Sequence, residues 1–246
     1  MNPIGRIRSG FTAKFGVPRQ SLLVEEAVGV LKLDPDPRYA EATRDLESFT
    51  HVWVVFLFDR NEEGDWRPTI QLPRLEVDHK VGVFASRSPH RPNRIGISAA
   101  RLGTIDRKAP GGVEIILHGI DILDGTAVLD LKPYVPYADS IPTAGGSWTE
   151  PPIRRYPVTL DPGHASLIND SGGRNHHRFR GDPVAFVVRM LELDPRPTPQ
   201  RETMPIDDPS NEGRRFAFRV LDLDIQWEIR SGGIRVVDVL LTASVD

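Results

Sequence analysis

The runs of this sequence that have strand character are short, closely spaced and separated by Gly, Pro and Asp. In the first half they are Ser48–Phe58, Lys80–Ala85, Gly112–Leu117 and Ala127–Leu131. No helical stretch long enough to return the chain between parallel strands lies between them, which argues against a doubly wound parallel sheet. The sequence therefore predicts a mainly β fold, an antiparallel barrel or sandwich.

A change of composition marks the second half of the chain. Residues 145–157 are rich in Gly, Pro and aromatic residues, which is typical of a domain boundary. We predict a barrel domain over 1–145, a linker or loop region over 146–182, and a small α+β domain over 183–246. In that domain, Pro183–Leu193 is a short helix or a buried strand, and Gly232–Gly233 joins the runs Arg215–Ile229 and Ile234–Leu241 as a hairpin. In the barrel domain, one short helix is expected after Pro37.

Cysteine is absent, which excludes a disulfide scaffold, a thiolate zinc site and a cysteine nucleophile. The longest apolar stretch, Val52–Phe58, is too short to span a bilayer, and the first residues lack the apolar run of a secretion signal. We therefore expect a soluble cytoplasmic protein with no membrane partner. Proline (22 residues) and glycine (21 residues) are frequent without a period, which favours many turns.

Charge is unevenly distributed although the formal net charge is only −3. Residues 1–24 carry four bases and no acid, residues 25–47 carry seven acids and three bases, and residues 87–108 carry six bases and one acid. Two basic loops on either side of an acidic stretch could converge on one anionic ligand. Solvated faces without a partner explain the same pattern.

The densest feature is the arginine loop, Gly82–Ser98, in which two prolines stiffen a stretch rich in cations. Its basic residues are Arg87, His90, Arg91 and Arg94. Restricted arginines lose less entropy on binding and suit a phosphate, a carboxylate or a ribose. The alternative is a rigid surface loop with internal ion pairs.

Three further loops are candidates for a ligand site. In Gly119–Gly125, Asp121 and Asp124 could accept hydrogen bonds from an amino group or a ribose, although these residues alone favour a simple Asp-Gly turn. In Asp130–Ser140, the proline-flanked Tyr134 and Tyr137 are suited to stacking on a base or to packing within the loop. Phe15–Gln20 adds the polar pair Arg19 and Gln20 next to Pro18.

Common signatures of other enzyme classes are missing. The sequence has no GxGxxG at the start of a helix, no GxxxxGK[ST] and no GxSxG. The neighbouring His176 and His177 lack spaced partner ligands, so we interpret them as a surface pair and predict no metal site. The residues indicate a ligand site without a Rossmann pocket.

Three long segments closely resemble, in the same order, the TsaA-like family of TrmO-type tRNA methyltransferases. They are PIGRIRSGFTAKFGVPRQ, GVFASRSPHRPNRIGIS and GIDILDGTAVLDLKPYVPYADS. The likeness covers about residues 3–140. LELDPRPTPQR and FAFRVLDLDIQW near the end of the chain resemble the C-terminal domain of the two-domain bacterial members.

The resemblance implies a β-barrel that binds S-adenosylmethionine outside the Rossmann methyltransferase fold, usually as a homodimer. It also implies methylation of the exocyclic N6 of threonylcarbamoyladenosine beside the anticodon, with the tRNA anticodon arm as the partner. By position, the cofactor contacts would be Pro18, Arg19, Gln20, Asp59, Arg60, Arg87, Arg91, Ile122, Leu123, Asp124 and Gly125.

Roles follow from this assignment. Arg87 and Arg91 would hold the cofactor carboxylate or a substrate phosphate. We predict Asp139 as the acceptor of the substrate proton, with Tyr137 beside it in the catalytic site. Substrate-binding residues would be Arg94, Lys132, Tyr134, Asp194 and Arg196, the last two closing the site or gripping the anticodon arm.

Several positions depart from the family pattern. His90 replaces an aromatic residue, Arg94 a proline, Asp59-Arg60 a frequent His-Gln pair, and Thr198-Pro199 an Ala-Tyr pair. Two other functions are therefore kept open: a non-catalytic module that binds S-adenosylmethionine or RNA, and a methyltransferase with a different substrate.

Overall fold

The computed structural model describes residues 2–13, 16–60, 64, 66–72, 80–146, 149 and 152–242. Strands of the first half are β1 (Gly5–Arg8), β2 (Gly29–Leu33), β3 (His51–Leu57), β4 (Thr69–Gln71), β5 (Lys80–Gly82), β6 (Ile95–Asp106), β7 (Glu114–His118) and β8 (Ala127–Pro133). Six of them close into a barrel in the order β1-β2-β7-β6-β3-β8, and each neighbouring pair is antiparallel. The predicted antiparallel barrel is confirmed.

Side chains alternate between the barrel interior and its outer face, as the pleat of a strand requires. In β3, Val52, Val54 and Phe56 are buried inside, while the residues between them are half-buried on the outer face. This alternation decides which side chains of β3 and β6 reach the interior. It matters for the site because both strands contribute to a cavity at one end.

The run Lys80–Ala85 is not a barrel strand. Its first three residues form β5, which pairs with β4 in a separate two-stranded sheet, and Val83–Ala85 is one turn of 3₁₀ helix. The short helix expected after Pro37 is confirmed as α1 (Arg38–Ala42), and α2 (Pro136–Asp139) follows β8.

The second half contains β9 (Val158–Thr159), α3 (Pro162–Arg174), α4 (Pro183–Glu192), α5 (Thr198–Thr203), β10 (Arg215–Val220), β11 (Leu223–Arg230) and β12 (Gly233–Leu241). The sheet order is β10-β11-β12-β9. The region 146–182, predicted as a linker or loop, contains β9 and α3 among its described residues. The three-part division itself stays a prediction.

The C-terminal sheet contains one turn that the sequence predicted and one that it did not. Ser231 and Gly232 have φ values of 52° and 71°, the conformation of a tight hairpin turn, which confirms the predicted turn at Gly232. The run Arg215–Ile229 is split, because Leu221 adopts φ 55° and reverses the chain between β10 and β11.

Both halves share one hydrophobic core. The ring of Phe11, just after β1, packs edge-on against Phe186 of α4 with 5.4 Å between ring centroids. The Leu221 N–H donates to the Gly10 carbonyl at 2.7 Å, and Thr12 Oγ1 donates to the Leu221 carbonyl at 3.2 Å. The segment after β1 is thus held by both the barrel and the C-terminal sheet. Among the described residues, no helix is long and apolar enough to cross a membrane.

Candidate functional site

A cavity of about 310 Å³ opens at the end of the barrel where β3 finishes and β6 begins. We call it the barrel cavity. Three loops and two strands form its wall: Pro18, Arg19, Gln20, Phe56, Phe58, Ser86, Arg87, Arg91, Ile95, Gly96, Ile97, Ser98 and Asp121. It therefore combines two guanidinium-bearing loops, aromatic rings and one carboxylate. Phe15, at the start of the predicted Phe15–Gln20 loop, lies outside the described residues.

Asp121 is the acid of the barrel cavity. Its Oδ1 accepts a hydrogen bond from Ser98 Oγ at 2.6 Å. Burial raises the pKa of the Asp121 carboxyl from 3.8 to about 6, because desolvation outweighs the opposing effects of the Ser98 hydrogen bond and the Arg87 charge. At neutral pH Asp121 is thus an anion that binds a proton more strongly than an ordinary aspartate.

Arg87 joins the two loops of the cavity. Its Nη1 donates to Gln20 Oε1 at 2.8 Å, which fixes the loop after β1 to the arginine loop across 67 residues of sequence. Arg91 instead makes contacts within the arginine loop, because its Nη1 donates to the carbonyls of Val83 at 3.1 Å and Ser86 at 2.7 Å. Arg19, Arg87 and Arg91 all line the cavity, so the two basic loops meet here, and their convergence on one anionic ligand stays a prediction.

Gly96 makes room for the aromatic wall. A Cβ atom added at this position would lie 2.4 Å from the ring of Phe56. Phe56 also packs edge-on against Phe58, with 5.2 Å between ring centroids. The strand can therefore carry no side chain at Gly96 without displacing the rings that shape the cavity.

The remaining predicted cofactor residues form a neighbouring cluster that does not line the barrel cavity. Arg60 Nη2 donates to the Asp124 carbonyl at 3.0 Å, and Asp124 Oδ1 accepts from the Ser9 N–H at 2.9 Å. Ile122 is buried in the core, and Asp59 Oδ2 lies 3.7 Å from Arg6 Nη1. With Leu123 and Gly125, these residues anchor the loop whose first acid, Asp121, reaches the cavity.

Asp139 and Tyr137 lie outside the barrel cavity. Asp139 Oδ2 accepts from Trp53 Nε1 at 3.0 Å and from the Val135 N–H at 2.7 Å. Trp53 is on the outer face of β3, so this carboxylate is on the outer face too. Tyr137 is 93% exposed.

Three predicted substrate residues also lie outside the barrel cavity. Tyr134 packs against Trp53 with 5.4 Å between ring centroids, and Lys132 pairs with Asp130 at 2.9 Å. Arg94 is not part of the cavity wall, and its carbonyl accepts from the Phe58 N–H at 2.8 Å. The structure does not bring these side chains together with Asp121.

A larger groove of about 950 Å³ runs between the barrel and the C-terminal domain. We call it the interdomain groove. It shares Pro18, Arg19, Gln20 and Arg87 with the barrel cavity, so the two spaces meet at these residues. The chain between the domains, α4, α5 and the loop after α5 supply the opposite side through Pro152, Ile153, Tyr156, Met190, Leu193, Thr198, Arg201 and Ile206.

Asp194 and Arg196 belong to the wall of the interdomain groove but are paired with each other. Their side chains are nearly inaccessible, with 2.7 Å between Arg196 Nη2 and Asp194 Oδ2. The guanidinium also lies over the Phe216 ring, 4.5 Å from its centroid, and donates to the Met204 carbonyl. These contacts give the pair an internal packing role, and its predicted role in substrate binding stays a prediction.

The sequence predictions missed the inner residues of the cavity. Ser98 and Gly96 lie on β6, whose inward positions could be assigned only once its register with β3 was known. Phe56 and Phe58 lie in the apolar run Ser48–Phe58, where nothing in the sequence distinguishes them from other strand residues. His176 and His177 are exposed, as interpreted from the sequence. The described residues contain no cluster of three His, Cys, Asp or Glu side chains placed for a metal ion.

Comparison with known proteins places this geometry in a family. The family model for the tRNA-methyltransferase O N-terminal domain matches residues 6–140, and that for the TrmO C-terminal domain matches residues 165–242. The putative S-adenosylmethionine-dependent methyltransferase RcsF of Pseudomonas aeruginosa is 39% identical over 97% of this chain and 96% of its own. The tRNA (adenine(37)-N6)-methyltransferase of Escherichia coli is 33% identical over 95% and 94%.

The solved structures agree with these relatives. A crystal structure of TrmO from P. aeruginosa superposes with a TM-score of 0.74 at 36% identity, covering 97% of this chain and 95% of that one. The resemblance of the three sequence segments is confirmed, and it extends to the C-terminal domain. The chain belongs to the tRNA-methyltransferase O family.

Proposed function

We propose that this protein transfers a methyl group from S-adenosylmethionine to the exocyclic N6 of an adenine in tRNA. The observation that carries the proposal is the barrel cavity, where two guanidinium loops and the Asp121 carboxylate meet in a member of this family. The relatives named above support it, because their names describe S-adenosylmethionine-dependent and tRNA adenine-N6 methyltransferases.

The residues of the barrel cavity fit the chemistry of S-adenosylmethionine. Arg87 supplies a charge-assisted donor for its carboxylate, the rings of Phe56 and Phe58 supply apolar contact, and Asp121 supplies a negative charge for a cation. When bound, this molecule supplies an electrophilic methyl group on a positively charged sulfur. Asp59, Arg60 and Ile122–Gly125 then act by holding the loop that presents Asp121.

The proton acceptor that we propose is Asp121. Attack by N6 forms a C–N bond and breaks the C–S bond, and the proton on N6 must leave to restore a neutral nitrogen. The Asp121 carboxylate faces the cavity, and its raised pKa makes it a better acceptor than an ordinary aspartate. Asp139, the choice made from sequence, faces away from the cavity and already accepts two hydrogen bonds.

As the substrate we propose N6-threonylcarbamoyladenosine beside the anticodon, with the anticodon arm in the interdomain groove. The groove meets the barrel cavity at Arg19 and Arg87, so a base reaching the cavity would leave its flanking nucleotides near these cations. A tRNA substrate also supports a cytoplasmic location.

A homodimer completes the proposal. On the outer face, Val55 pairs with Ile97 and Leu57 with Ile95 across β3 and β6, and Ile97 is 48% exposed at the rim of the barrel cavity. We propose that a second copy covers this apolar face. Light scattering should then give twice the chain mass for the wild type and a shift toward monomer for Ile97→Glu. A monomeric wild type would contradict it.

The decisive experiment uses methyl-labelled S-adenosylmethionine and total tRNA from cells with and without the threonylcarbamoyl modification. Label found only in the modified tRNA supports the proposed substrate. Label in both preparations indicates a methyltransferase with another target. Cofactor binding without any transfer of label indicates the non-catalytic module.

A further inference from the structure

The interdomain groove has an excess of positive charge along its wall. Five arginines line it among the described residues, Arg19, Arg87, Arg154, Arg196 and Arg201, against two acids, Asp194 and Asp207. Both acids are already neutralised within the fold, since Asp194 pairs with Arg196 at 2.7 Å and Asp207 with Arg154 at 2.8 Å. Three guanidiniums therefore face the groove without compensation from its own carboxylates.

Arg201, on α5, differs from the other two because it is partly buried. Among the described residues its Nε has no hydrogen-bond partner, and its Nη2 donates to the Thr198 hydroxyl at 3.0 Å. No carboxylate of a described residue lies within ion-pair distance of it. Burial lowers the pKa of Arg201 to about 10, so the group is still a cation at neutral pH.

A partly buried cation with no ion pair to a described carboxylate is unfavourable for folding, although the charge of the neighbouring Glu202 offsets part of the cost. The neighbouring groove wall offers little to offset this cost, because it is largely apolar, with Leu23, Ile70, Met190, Leu193 and Ile206 among its residues. An oxyanion that accepts a hydrogen bond from the Arg201 Nε–H would offset this free-energy cost. A guanidinium presents parallel N–H groups that match the two oxygens of a carboxylate or phosphate.

We propose that Arg201 binds an oxyanion of the substrate in the interdomain groove. This inference rests on the proposed function, under which two sources share the required chemistry: the carboxylate of the threonylcarbamoyl group and a phosphate of the tRNA backbone. Either would lie beyond Arg19 and Arg87, on the surface that continues from the barrel cavity. Arg201 is thus a recognition residue that accounts for an otherwise unfavourable buried charge.

The test compares Arg201→Met with the wild type in binding two anticodon stem-loop RNAs, one with and one without the threonylcarbamoyl group. Arg214→Met is the matched control, since Arg214 is an exposed arginine of the same domain outside the groove. We expect Arg201→Met to weaken binding of the modified stem-loop by about tenfold or more, the size of a lost charge-assisted hydrogen bond. Arg214→Met should bind both RNAs like the wild type.

The two RNAs distinguish the sources of the oxyanion. If the carboxylate is bound, Arg201→Met weakens only the modified stem-loop. If a phosphate is bound, both RNAs are weakened equally, and the dependence of log affinity on log salt becomes shallower by roughly 0.7 to 0.9. Wild-type affinity of a folded Arg201→Met for both RNAs would overturn the proposal.

Stability measurements separate recognition from a folding role. Removing an uncompensated buried charge should leave the melting temperature of Arg201→Met equal to that of the wild type or higher. If Arg201→Met does not fold, Arg201→Lys is used instead, because it keeps the charge but loses the paired N–H donors of the guanidinium. Full wild-type binding by a folded Arg201→Lys would overturn the proposal, and weakened binding would support it. Because binding does not require turnover, failure of methyl transfer would refute the proposed function alone.

Discussion

At the scale of single residues, Asp121 is the side chain on which the chemistry depends most. Replacing it with asparagine keeps its shape and a partner for Ser98 but removes the proton acceptor. We expect the single-turnover rate of methyl transfer to fall by about 100-fold, the lower range for general-base catalysis. The wild-type rate should fall as the pH drops below about 6, where Asp121 becomes protonated beside Arg87 and Arg91, and this dependence should vanish in Asp121→Asn.

The matched control for this experiment is Asp139→Asn, which alters the sequence-based candidate on the outer face. It should retain near wild-type rate and the same pH profile. A full rate in Asp121→Asn with an unchanged pH profile, together with a large loss in Asp139→Asn, would return the role of proton acceptor to Asp139.

The same aspartate makes a prediction about stability. Its pKa is raised in the folded state from 3.8 to about 6, so between these values the folded chain binds more protons than the unfolded chain. The carboxylate therefore destabilises the fold increasingly as the pH rises. Asp121→Asn should raise the free energy of unfolding at pH 8 by up to about 3 kcal/mol, and the gain should disappear near pH 4. Denaturant titrations across this pH range measure it, and an equal gain at all pH values would exclude ionisation as its cause.

Gly96 offers a test of the aromatic wall. In Gly96→Ala the new methyl group meets the Phe56 ring, so we expect a loss of about 1 to 3 kcal/mol in stability together with weaker cofactor binding. Gly173→Ala, near the end of α3 where a Cβ meets nothing within 4 Å, is the control and should be neutral or stabilising. Calorimetry and thermal unfolding give both quantities, and wild-type values for Gly96→Ala would show that the wall adapts.

At the scale of elements, the cavity depends on two loops held together by one side chain. Arg87→Met removes both the hydrogen bond to Gln20 and the cation available to the cofactor carboxylate. We expect the affinity for S-adenosylmethionine to fall by more than about tenfold in titration calorimetry. Arg44→Met, a change of an exposed arginine just after α1, should leave that affinity unaltered; equal affinities in both variants would exclude a binding role for Arg87.

How far the elements could be predicted depended on how strongly each one is signalled. β3, β7 and β8 are rich in β-branched and apolar residues and were predicted, whereas β1 and β2 are four and five residues long and include glycine and charged side chains. Most of β6 was missed because glycine and alanine interrupt its pattern. The turn at Leu221 has no glycine or asparagine to signal a positive φ.

The site was predictable where stiff, charged loops lie at the end of a strand, as for Arg87, Gln20 and Asp121. It was not predictable where the burial of a side chain depends on distant partners. Asp139 follows a tyrosine-rich loop, but the pairing of β8 with β3 places it beside Trp53 on the outer face. Arg196 lies in a family motif, yet aromatic rings from β10 and β11 bury it.

At the scale of the whole molecule, the buried Asp194–Arg196 pair stabilises the part of the C-terminal domain that forms one wall of the interdomain groove. Asp194→Ala leaves a buried guanidinium without its counterion, so we expect a loss of about 3 to 5 kcal/mol in the free energy of unfolding. Asp207→Ala breaks a pair exposed to solvent and should cost at most about 1 kcal/mol. Chemical denaturation measures both, and equal losses would contradict the difference in burial.

The segment after β1 also constrains how the chain acquires its structure during synthesis. Gly10 and Phe11 are made well before Phe186 and Leu221, the partners that hold them. The barrel can close once β8 has emerged, but the ring of Phe11 stays uncovered until Phe186 has been made, about 175 residues after Phe11 itself, and exposed apolar surface makes a nascent chain prone to aggregate. The core shared by the two halves is therefore complete only after the sheet of β10, β11 and β12 has been made.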